Sequence, residues 1–455
     1  MLYSNRLVAA CLVALFCSTS ALAQFGPPRT DPNPQPNPQP EPQPDPRPIP
    51  GPNPNPDPRP TPQPDPNAPV PDIRLPGNNP NVSQARPEWL KPGAQVTYAV
   101  TDSYNPNPNP NLPPNQQPKP SAGMGYREYT VVAVTEEKVY LQQTLYLAPQ
   151  GLPLKDDGSV DMTIDPKAQA TAMSYKVVTG MEVNQGDAIW MPPARLQAME
   201  QKRESSADGT QGSWIDPTSW PVQGQLVNAV KIELWGANFA RNRVYRRDTG
   251  MLLFHHDATG GVKPGTARNN IYAKEIVDIR QLVHYEQIDS PMIGGGFPAW
   301  TQQVKAMHYT GQQAFVMQGA PPVSLPMSIT MTVEQNDGQI MLGKALMKQQ
   351  GSADQSTDVV MGPGSLFGYW VDPRALSQLR PGEVHRNDAT RTFITYQVQE
   401  GPLGRLGVFV HSNEAKSFFA VNGYDLQDGK LMYMQFAQPE QNLVREFQLQ
   451  NVERR

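Results

Sequence analysis

The residues with the clearest chemical potential lie near position 255, where two histidines and an aspartate follow one another. His255, His256 and Asp257 are all ligand types for zinc or a related metal. The preceding residues 251–254 are apolar and predict a β-strand. Because successive side chains of a strand point to opposite faces, the two imidazoles cannot face one ion together. The sequence therefore favours a solvated strand end, and no metal-binding residue is predicted.

A group of arginines just upstream offers a different chemistry, the binding of an anion. Arg241, Arg243, Arg246 and Arg247 form the basic cluster of the sequence. A strand would put Arg241 and Arg243 on one face, where guanidinium groups bind carboxylates and phosphates well. Charged residues also protect exposed edge strands from aggregation. Of these two interpretations, the sequence favours the charged edge.

Other motifs fall short of the patterns that catalysis or ion binding require. The acidic segment 156–161 lacks the alternating oxygen ligands and the final bidentate acid of a calcium loop. Ser365 lies outside the G-x-S-x-G pattern of serine hydrolases, and the glycines at 294–296 do not lead from a strand into a helix. The paired acids of a glycosidase cannot be identified among the scattered Asp and Glu residues. No catalytic residue and no cofactor is predicted, and the ligand-binding residues stay unknown.

Residues 1–23 have the pattern of a cleaved signal peptide. Arg6 supplies the positive charge, residues 7–16 the apolar segment, and Ala21-Leu22-Ala23 the small-x-small cleavage site. The apolar segment is shorter than the roughly 20 residues that span a membrane, and no later segment is long enough. We therefore expect no transmembrane segment in the mature chain, and a secreted, periplasmic or envelope-associated protein.

Cysteine content and charge exclude several classes of function. Cys11 and Cys17 both belong to the predicted signal peptide, so the mature chain is expected to have no disulfide, no Cys-bound zinc and no iron–sulfur cluster. The chain carries 38 basic and 42 acidic side chains and a net charge of −4. A nucleic-acid-binding protein needs a concentrated positive surface, so no nucleic-acid partner is predicted.

Residues 24–86 form a proline-rich segment between the signal and the remainder. Proline occupies nearly every second position between 31 and 66. Each proline fixes its own φ and biases the preceding residue toward extended backbone. With almost no apolar side chains to bury, the segment is expected to be a disordered tether. A docking ligand for a proline-recognising domain is the alternative, and the alternating X-P pattern with mixed charges favours the tether.

The remainder has the pattern of one β-rich unit used twice, at residues 87–290 and 291–455. The inference rests on collinear matches of Trp89 with Trp300, Val132 with Val333, Trp190 with Trp370 and Gly250 with Gly429. The tryptophans are expected to anchor the core of each copy. The first copy holds two extra segments, 105–120 and 152–171, which are predicted to be loop insertions. Loops can change without disturbing a core, so any specific binding is expected in the first copy.

Within each copy the residue pattern predicts antiparallel β-structure. Short runs rich in β-branched and aromatic residues alternate with turn signals such as residues 336–338. A proline starts one short helix in each copy, at 193–203 and 373–379. The predicted fold class is mainly β, α+β at the margin, with two tandem homologous β-meanders that are half-barrel-like and carry a short helix each. The closing strands, 271–283 and 443–452, can be aligned with each other at an offset of 171 or 172 residues, and this register stays open.

These features together predict a non-catalytic binding or structural protein held on a proline-rich tether. The expected partner is an unidentified component of the cell envelope or an apolar ligand. The alternative is a secreted hydrolase that acts on envelope polymers. An enzyme needs titratable groups that converge in a pocket, whereas a binding protein needs only a groove or an exposed face.

Overall fold

A computed structural model describes residues 85–104, 121–136, 138–147, 169–178, 189–207, 209–236, 239–259, 276–288, 296–315 and 323–455. These residues belong to one compact unit, Val70–Arg455. The predicted signal peptide, the tether up to residue 84, the insertion 105–120 and most of the insertion 152–171 lie outside the described residues. The boundary between residues 290 and 291 also lies outside them, so the division into two domains at that point stays a prediction. No helix among the described residues is long and apolar enough to cross a membrane.

The first half of the described chain forms an antiparallel sheet of ten strands. They are β1 (Ala94–Tyr104), β2 (Ser121–Val134), β3 (Val139–Leu147), β4 (Gln169–Val178), β5 (Lys202–Ser205), β6 (Gly212–Val222), β7 (Gln225–Trp235), β8 (Phe239–Arg246), β9 (Leu252–Thr259) and β10 (Ile276–Gln287). In space they follow the order β4-β3-β2-β1-β10-β9-β8-β7-β6-β5. The first strand thus pairs with the last, and two meanders extend from that pair.

The second half repeats this topology strand for strand. Its ten described strands are β11 (Val304–Phe315), β12 (Val323–Asn336), β13 (Met341–Gln349), β14 (Gln355–Met361), β15 (Val384–Asn387), β16 (Thr392–Gly401), β17 (Gly404–Asn413), β18 (Phe419–Asp425), β19 (Leu431–Gln438) and β20 (Leu443–Arg454). Their order is β14-β13-β12-β11-β20-β19-β18-β17-β16-β15. The predicted fold class, two homologous antiparallel β units, is confirmed.

The matched tryptophans occupy equivalent places in the two sheets. Trp190 forms an isolated β-bridge with Met251, and Trp370 forms the same bridge with Lys430. Both rings are buried, with 3% and 1% of their surface exposed. Each anchors the chain just before a short helix to the hairpin that follows β8 or β18.

The matched glycines explain why that hairpin is the same in both copies. Gly250 and Gly429 have φ of +70° and +74°, in the left-handed region that favours glycine. A Cβ added to Gly250 would lie 1.9 Å from Met191 O, and one added to Gly429 would lie 1.9 Å from Val371 O. Glycine is therefore required both for the turn and for the close approach of the chain beside the tryptophan.

The two short helices begin at the predicted prolines but differ in how well their length was predicted. Helix α1 is Pro193–Gln197 and helix α2 is Pro373–Gln378. The predicted extension of α1 to residue 203 is wrong, because Lys202 and Arg203 already belong to β5. Residues 200–205 are exposed, so a longer helix would have no apolar face to bury there.

The predicted match of Val132 with Val333 is wrong by one residue. A bulge lies between Val131 and Ala133 in β2, and the equivalent bulge lies between Val333 and Gln335 in β12. Val131 therefore corresponds to Val333, and both are core residues. Because side chains alternate along a strand, Val132 points to the other face of the sheet.

The register of the closing strands is settled by two tyrosines. Tyr98 lies opposite Leu282 across the β1–β10 pair, and Tyr309 lies opposite Leu449 across the β11–β20 pair. A register shift comes immediately before the tyrosine in both β1 and β11. Leu282 and Leu449 are therefore equivalent at an offset of 167 residues, so the predicted offsets of 171 and 172 are both wrong. Every residue of β10 has a partner position in β20.

Each sheet has its own apolar core on one face, which we call the inner face. It is the face that carries Tyr98 in the first sheet and Tyr309 in the second, and both tyrosines are fully buried. Leu196 of α1 belongs to the first core and Leu376 of α2 to the second. The opposite side of each sheet is the outer face.

Candidate anion-binding site

Seven charged or ionisable side chains meet on the inner face of the first sheet, beside its apolar core. They are Arg127 of β2, Arg241 and Arg243 of β8, His255 and Asp257 of β9, and Asp278 and Arg280 of β10. We call this group the charged cluster. Residues directly opposite each other in an antiparallel pair point to the same face, so strand pairing brings these distant positions together.

Two rows of facing residues cross β8, β9 and β10. In one row Arg243 faces His255 and His255 faces Arg280, and in the other Arg241 faces Asp257 and Asp257 faces Asp278. Arg127 joins from β2, where it lies opposite Tyr98. The cluster therefore continues the inner face beyond the apolar core.

Arg243 is a fully enclosed member of the charged cluster, with none of its side chain exposed. Its Nη1 and Nη2 atoms donate to the two carboxylate oxygens of Asp257 at 3.0 and 2.8 Å. Nη1 also lies 3.3 Å from His256 O. The buried Nε atom has no hydrogen-bond partner among the described residues. A bidentate pair with a carboxylate holds the guanidinium in a fixed orientation.

Asp278 and Asp257 each face more than one guanidinium group. Arg280 Nε donates to Asp278 Oδ1 at 3.1 Å, and Arg127 Nη1 lies 3.9 Å from Asp278 Oδ2. Arg241 Nε lies 3.7 Å from Asp257 Oδ1, too far for a hydrogen bond. Arg241 is therefore held less firmly than the guanidinium of Arg243.

His255 lies between the two aspartates and is fully buried. Its Nε2 atom is 3.7 Å from Asp257 Oδ2 and 3.6 Å from Asp278 Oδ2. Neither ring nitrogen has a hydrogen-bond partner among the described residues. Burial, and next the positive charges of Arg243 and the neighbouring arginines, hold the pKa of His255 far below its usual value. The imidazole is therefore neutral at physiological pH.

The charge balance of the cluster favours binding of an anion. In the part of the chain that the structure describes, four guanidinium groups face two carboxylates beside the neutral His255. Arg241, Asp257 and Asp278 keep 29%, 20% and 23% of their side-chain surface exposed, so the cluster opens to solvent on their side. An anion that enters there meets positive charge in a partly desolvated setting, where electrostatic attraction is stronger than in water.

The positions of the charged cluster can be compared with the equivalent positions of the second sheet, which carry other residues. Strand pairing places seven residues of the second sheet at the positions of Arg127, Arg241, Arg243, His255, Asp257, Asp278 and Arg280. They are, in that order, Ile329, Ala420, Asn422, Met434, Phe436, Arg445 and Phe447.

Five of these seven second-sheet residues are apolar, so the fold itself does not require charges on this face. Buried charged pairs often contribute little net stability compared with apolar residues of similar size. The first copy nevertheless carries them, together with buried donors that have no partner in the described chain. This contrast within one chain makes the charged cluster the candidate functional site.

The basic cluster that the sequence shows divides between two places. Arg241 and Arg243 belong to the charged cluster, whereas Arg246 is exposed and donates to Asp248 at 2.8 Å, and Arg247 donates to the last residue of α1. The favoured interpretation of a charged sheet edge is wrong, because β8 is paired with β7 on one side and β9 on the other. The alternative, an anion-binding pair, stays open.

The histidine pair is placed differently from what the sequence predicts. His255 and His256 do point to opposite faces, since His255 faces Arg243 and His256 faces Asn242. They do not form a solvated strand end, because β9 lies between β8 and β10 and both rings are buried. Within the described ranges no group of three His, Cys, Asp or Glu side chains is arranged to hold a metal ion.

The remaining sequence motifs contribute nothing to this site. Ser365 lies in a buried turn, where its hydroxyl accepts a hydrogen bond from Gly362 N at 2.9 Å. The acidic segment 156–161 and the glycines 294 and 295 lie outside the described residues. Trp190 and Trp370 are core residues, consistent with their interpretation as anchors.

A second group of titratable residues lies between the two sheets, around a small cavity. Its lining includes Glu128, Tyr146, His385, Asn387 and His411. The cavity volume open to the centre of a water molecule is about 20 Å³, which is room for roughly one or two water molecules. An enzyme would need its titratable groups around a substrate-sized pocket, and this cavity is far smaller.

Arg127, Asp278 and Arg280 were not identified from the sequence as site residues. They come from strands that are separated along the chain from β8 and β9, and no local spacing marks them. The signal that would have found them is the correct pairing of β10 with β1 and β9. The sequence alone predicted no pairing partner for β10.

The comparisons with known proteins do not assign this chain to a family. No protein-family model and no curated protein matches the chain. A protein of unknown function from the DUF3598 family of Nostoc punctiforme is 9% identical, covers 82% of this chain and 100% of its own, and has a TM-score of 0.16. The Pseudomonas aeruginosa MucA/MucB complex gives 10% identity, coverages of 78% and 89%, and a TM-score of 0.14. Transferrin binding protein B from Haemophilus parasuis is 8% identical, covers 82% of this chain and 78% of its own, and has a TM-score of 0.08. TM-scores this low carry no argument.

Proposed function

We propose that this chain is a non-catalytic binding protein, secreted or associated with the cell envelope, whose first β unit binds an anionic group of an envelope component. The observation that carries the proposal is the charged cluster, which occupies positions that the second sheet fills mainly with apolar residues. The second unit then acts as a scaffold of the same fold.

The chemistry of the ligand follows from the donors that the cluster offers. Guanidinium groups form pairs of parallel hydrogen bonds with carboxylate and phosphate oxygens. Arg241 is partly exposed and makes no close hydrogen bond to Asp257, so its guanidinium is available to a ligand at the solvent side. Arg243 lies behind it and adds positive charge from the fully buried side. A carboxylate or a phosphate group suits this arrangement better than the apolar ligand that the sequence left open.

Calorimetric titration of the full chain with inorganic phosphate and, separately, with citrate tests the proposal at low salt. We expect binding of one or both anions, and an affinity that falls as sodium chloride screens the cluster. Arg241→Gln should weaken the affinity about tenfold or more, because a charge-assisted hydrogen bond contributes about 1.5–3 kcal/mol.

Arg246→Gln is the matched control for this titration. Arg246 is on the same strand as Arg241, but it pairs with Asp248 at the exposed hairpin, outside the cluster. The control variant should keep the wild-type affinity. Absence of binding by both anions, or equal loss in both variants, would contradict the proposed function.

A further inference from the structure

The two sheets meet through buried polar side chains, a contact that we call the seam. Gln95, Thr97 and Glu128 lie on the outer face of the first sheet and are at most 5% exposed. Asn387, at the end of β15, places its Nδ2 atom 3.4–3.5 Å from an oxygen of each of these three residues. The seam is therefore an interface shielded from water, in which the amide nitrogen of Asn387 lies close to three acceptor oxygens.

Backbone and apolar contacts hold the seam closed on either side of this amide. Gly364 N donates to Val132 O at 2.8 Å. A Cβ on Gly364 would lie 2.0 Å from Val131 O, so the two backbones touch here. Tyr146 packs against Phe418 with ring centroids 5.9 Å apart. Ionisable groups in the seam are thus enclosed by packed structure.

Glu286 connects the two sides of the seam. Its Oε1 atom lies 3.6 Å from Nε2 of His284, on the same strand, and 3.5 Å from Nε2 of His385, on β15 of the second sheet. Burial alone would raise the pKa of Glu286, but the two neighbouring imidazoles lower it to about 2. The adjacent Glu286 carboxylate in turn raises the pKa of His284.

Glu128 is the carboxyl group of the seam whose ionised form is unfavourable there. Burial, and next the charge of Glu286, raise the pKa of Glu128 to about 7. His385, His284 and Tyr146 on β3 also act on Glu128, and His411 on β17 lines the same cavity. Of the charged groups in the turn after β15, Asp388 acts on His284 and Arg391 acts on Tyr126. Burial, and next the charge of His385, lower the pKa of His411 to about 4.

We propose that the seam is a pH-sensitive joint, tight in mild acid and looser once the pH rises past neutrality, where ionised Glu128 must share it with ionised Glu286. Loosening means that the second sheet separates locally from the outer face of the first sheet, while each core stays folded.

The direction of this pH dependence follows from whether each pKa in the seam is raised or lowered. Glu128 and His284 have raised pKa values, so their contribution is present at low pH and is lost as the pH rises through those values. His411 has a lowered pKa, so its contribution is lost as the pH falls toward about 4. Between these limits Glu128 and His411 oppose each other. Above the ordinary histidine pKa the contribution of His411 is constant, and the loss from Glu128 and His284 continues only until the pH has passed their raised pKa values.

Hydrogen exchange of the full chain tests the proposal, with rates normalised to the intrinsic exchange rate at each pH. In the wild type, amides of β15–β17 should lose protection between about pH 6.5 and 8 and then level off, while amides of β7 and β8 keep theirs. Glu128→Gln should raise the protection of β15–β17 about tenfold or more at the upper pH, since one pKa unit corresponds to a factor of ten. It should also move the pH of maximum protection upward, because His411 then acts unopposed.

Two further variants keep this experiment decisive. Glu453→Gln, at an exposed carboxylate paired with Lys305, should leave the profile of β15–β17 unchanged. His385→Gln removes the imidazole that links Glu286 to the second sheet, and it should lower protection at mildly acidic pH. A pH-independent profile in the wild type, or identical profiles for the wild type and both seam variants, would overturn the proposal.

Discussion

Arg243 and Asn422 occupy the same position of the same strand in the two sheets of this protein. Arg243 faces His255 across the β8–β9 pair, and Asn422 faces Met434 across the β18–β19 pair. The backbone frame around them is shared, including the register shift that follows in each strand. The difference between the copies therefore lies in side chains placed on one frame, and this is the basis for assigning the binding function to the first.

The Arg243–Asp257 pair should behave as a buried pair whose partners depend on each other. Arg243→Leu leaves the Asp257 carboxylate without its bidentate partner, and we expect a loss of about 3–5 kcal/mol in the free energy of unfolding. Arg243→Leu combined with Asp257→Leu should restore most of it, because neither member of the bidentate pair is then left buried without the other. Urea unfolding of the two single variants and the double variant measures this coupling. Strictly additive losses would contradict the assigned pairing.

Gly250 should be far less tolerant of alanine than a glycine with the same backbone angle in open space. Gly250 and Gly209 both have φ of +70°, but a Cβ on Gly250 meets Met191 O whereas one on Gly209 meets nothing within 4 Å. Gly209→Ala should cost about 1 kcal/mol from backbone strain alone. Gly250→Ala should cost several times more, and thermal melting of both variants measures the difference. Similar melting temperatures would show that the chain beside Trp190 can move away.

His411 should make the protein less stable in acid. Its lowered pKa means that folding favours the neutral ring, so its contribution is present above the ordinary histidine pKa and is lost as the pH falls toward about 4. His411→Phe keeps a ring against Phe367 and Phe418 but cannot be protonated. The loss of unfolding free energy between about pH 7 and pH 4.5 should shrink by about 2 kcal/mol in this variant. An unchanged loss in parallel urea titrations would show that other groups control acid stability.

Much of the fold could be predicted because local signals repeat in both copies. Gly250 and Gly429 mark turns that only glycine fits, and Trp190 and Trp370 mark the chain that packs beside them. The predicted match of Val132 with Val333 was wrong because the local sequence fits two alignments that differ by one residue. Val131 and Val132 are both apolar and both buried, one in the core and one in the seam, so the composition of the strand did not set its register.

The charged cluster could be predicted only in part, since it depends on contacts between distant strands. Arg241 and Arg243 share a face by simple alternation, and the sequence identified them as a pair. Whether their strand is at an edge or inside a sheet depends on its neighbours, which the sequence did not define. Arg127 and Arg280 enter the cluster through the pairing of β2 with β1 and of β10 with β9, which no local sequence signal marks.

The central claim is that the charged cluster binds a ligand and is not needed for the fold. The most direct test transfers the second-sheet residues into the first sheet. The substitutions are Arg127→Ile, Arg241→Ala, Arg243→Asn, His255→Met, Asp257→Phe, Asp278→Arg and Arg280→Phe. The variant is then titrated with phosphate and citrate beside the wild type, and its melting temperature is measured.

We expect this variant to melt at or above the temperature of the wild type and to bind neither anion. Apolar residues that already fit these positions in β12 and β18–β20 can replace the charges without loss of packing. Retention of wild-type anion affinity by the folded variant would place the binding site elsewhere. A variant that fails to fold would show that the charges support the first sheet itself, and either result would contradict the account.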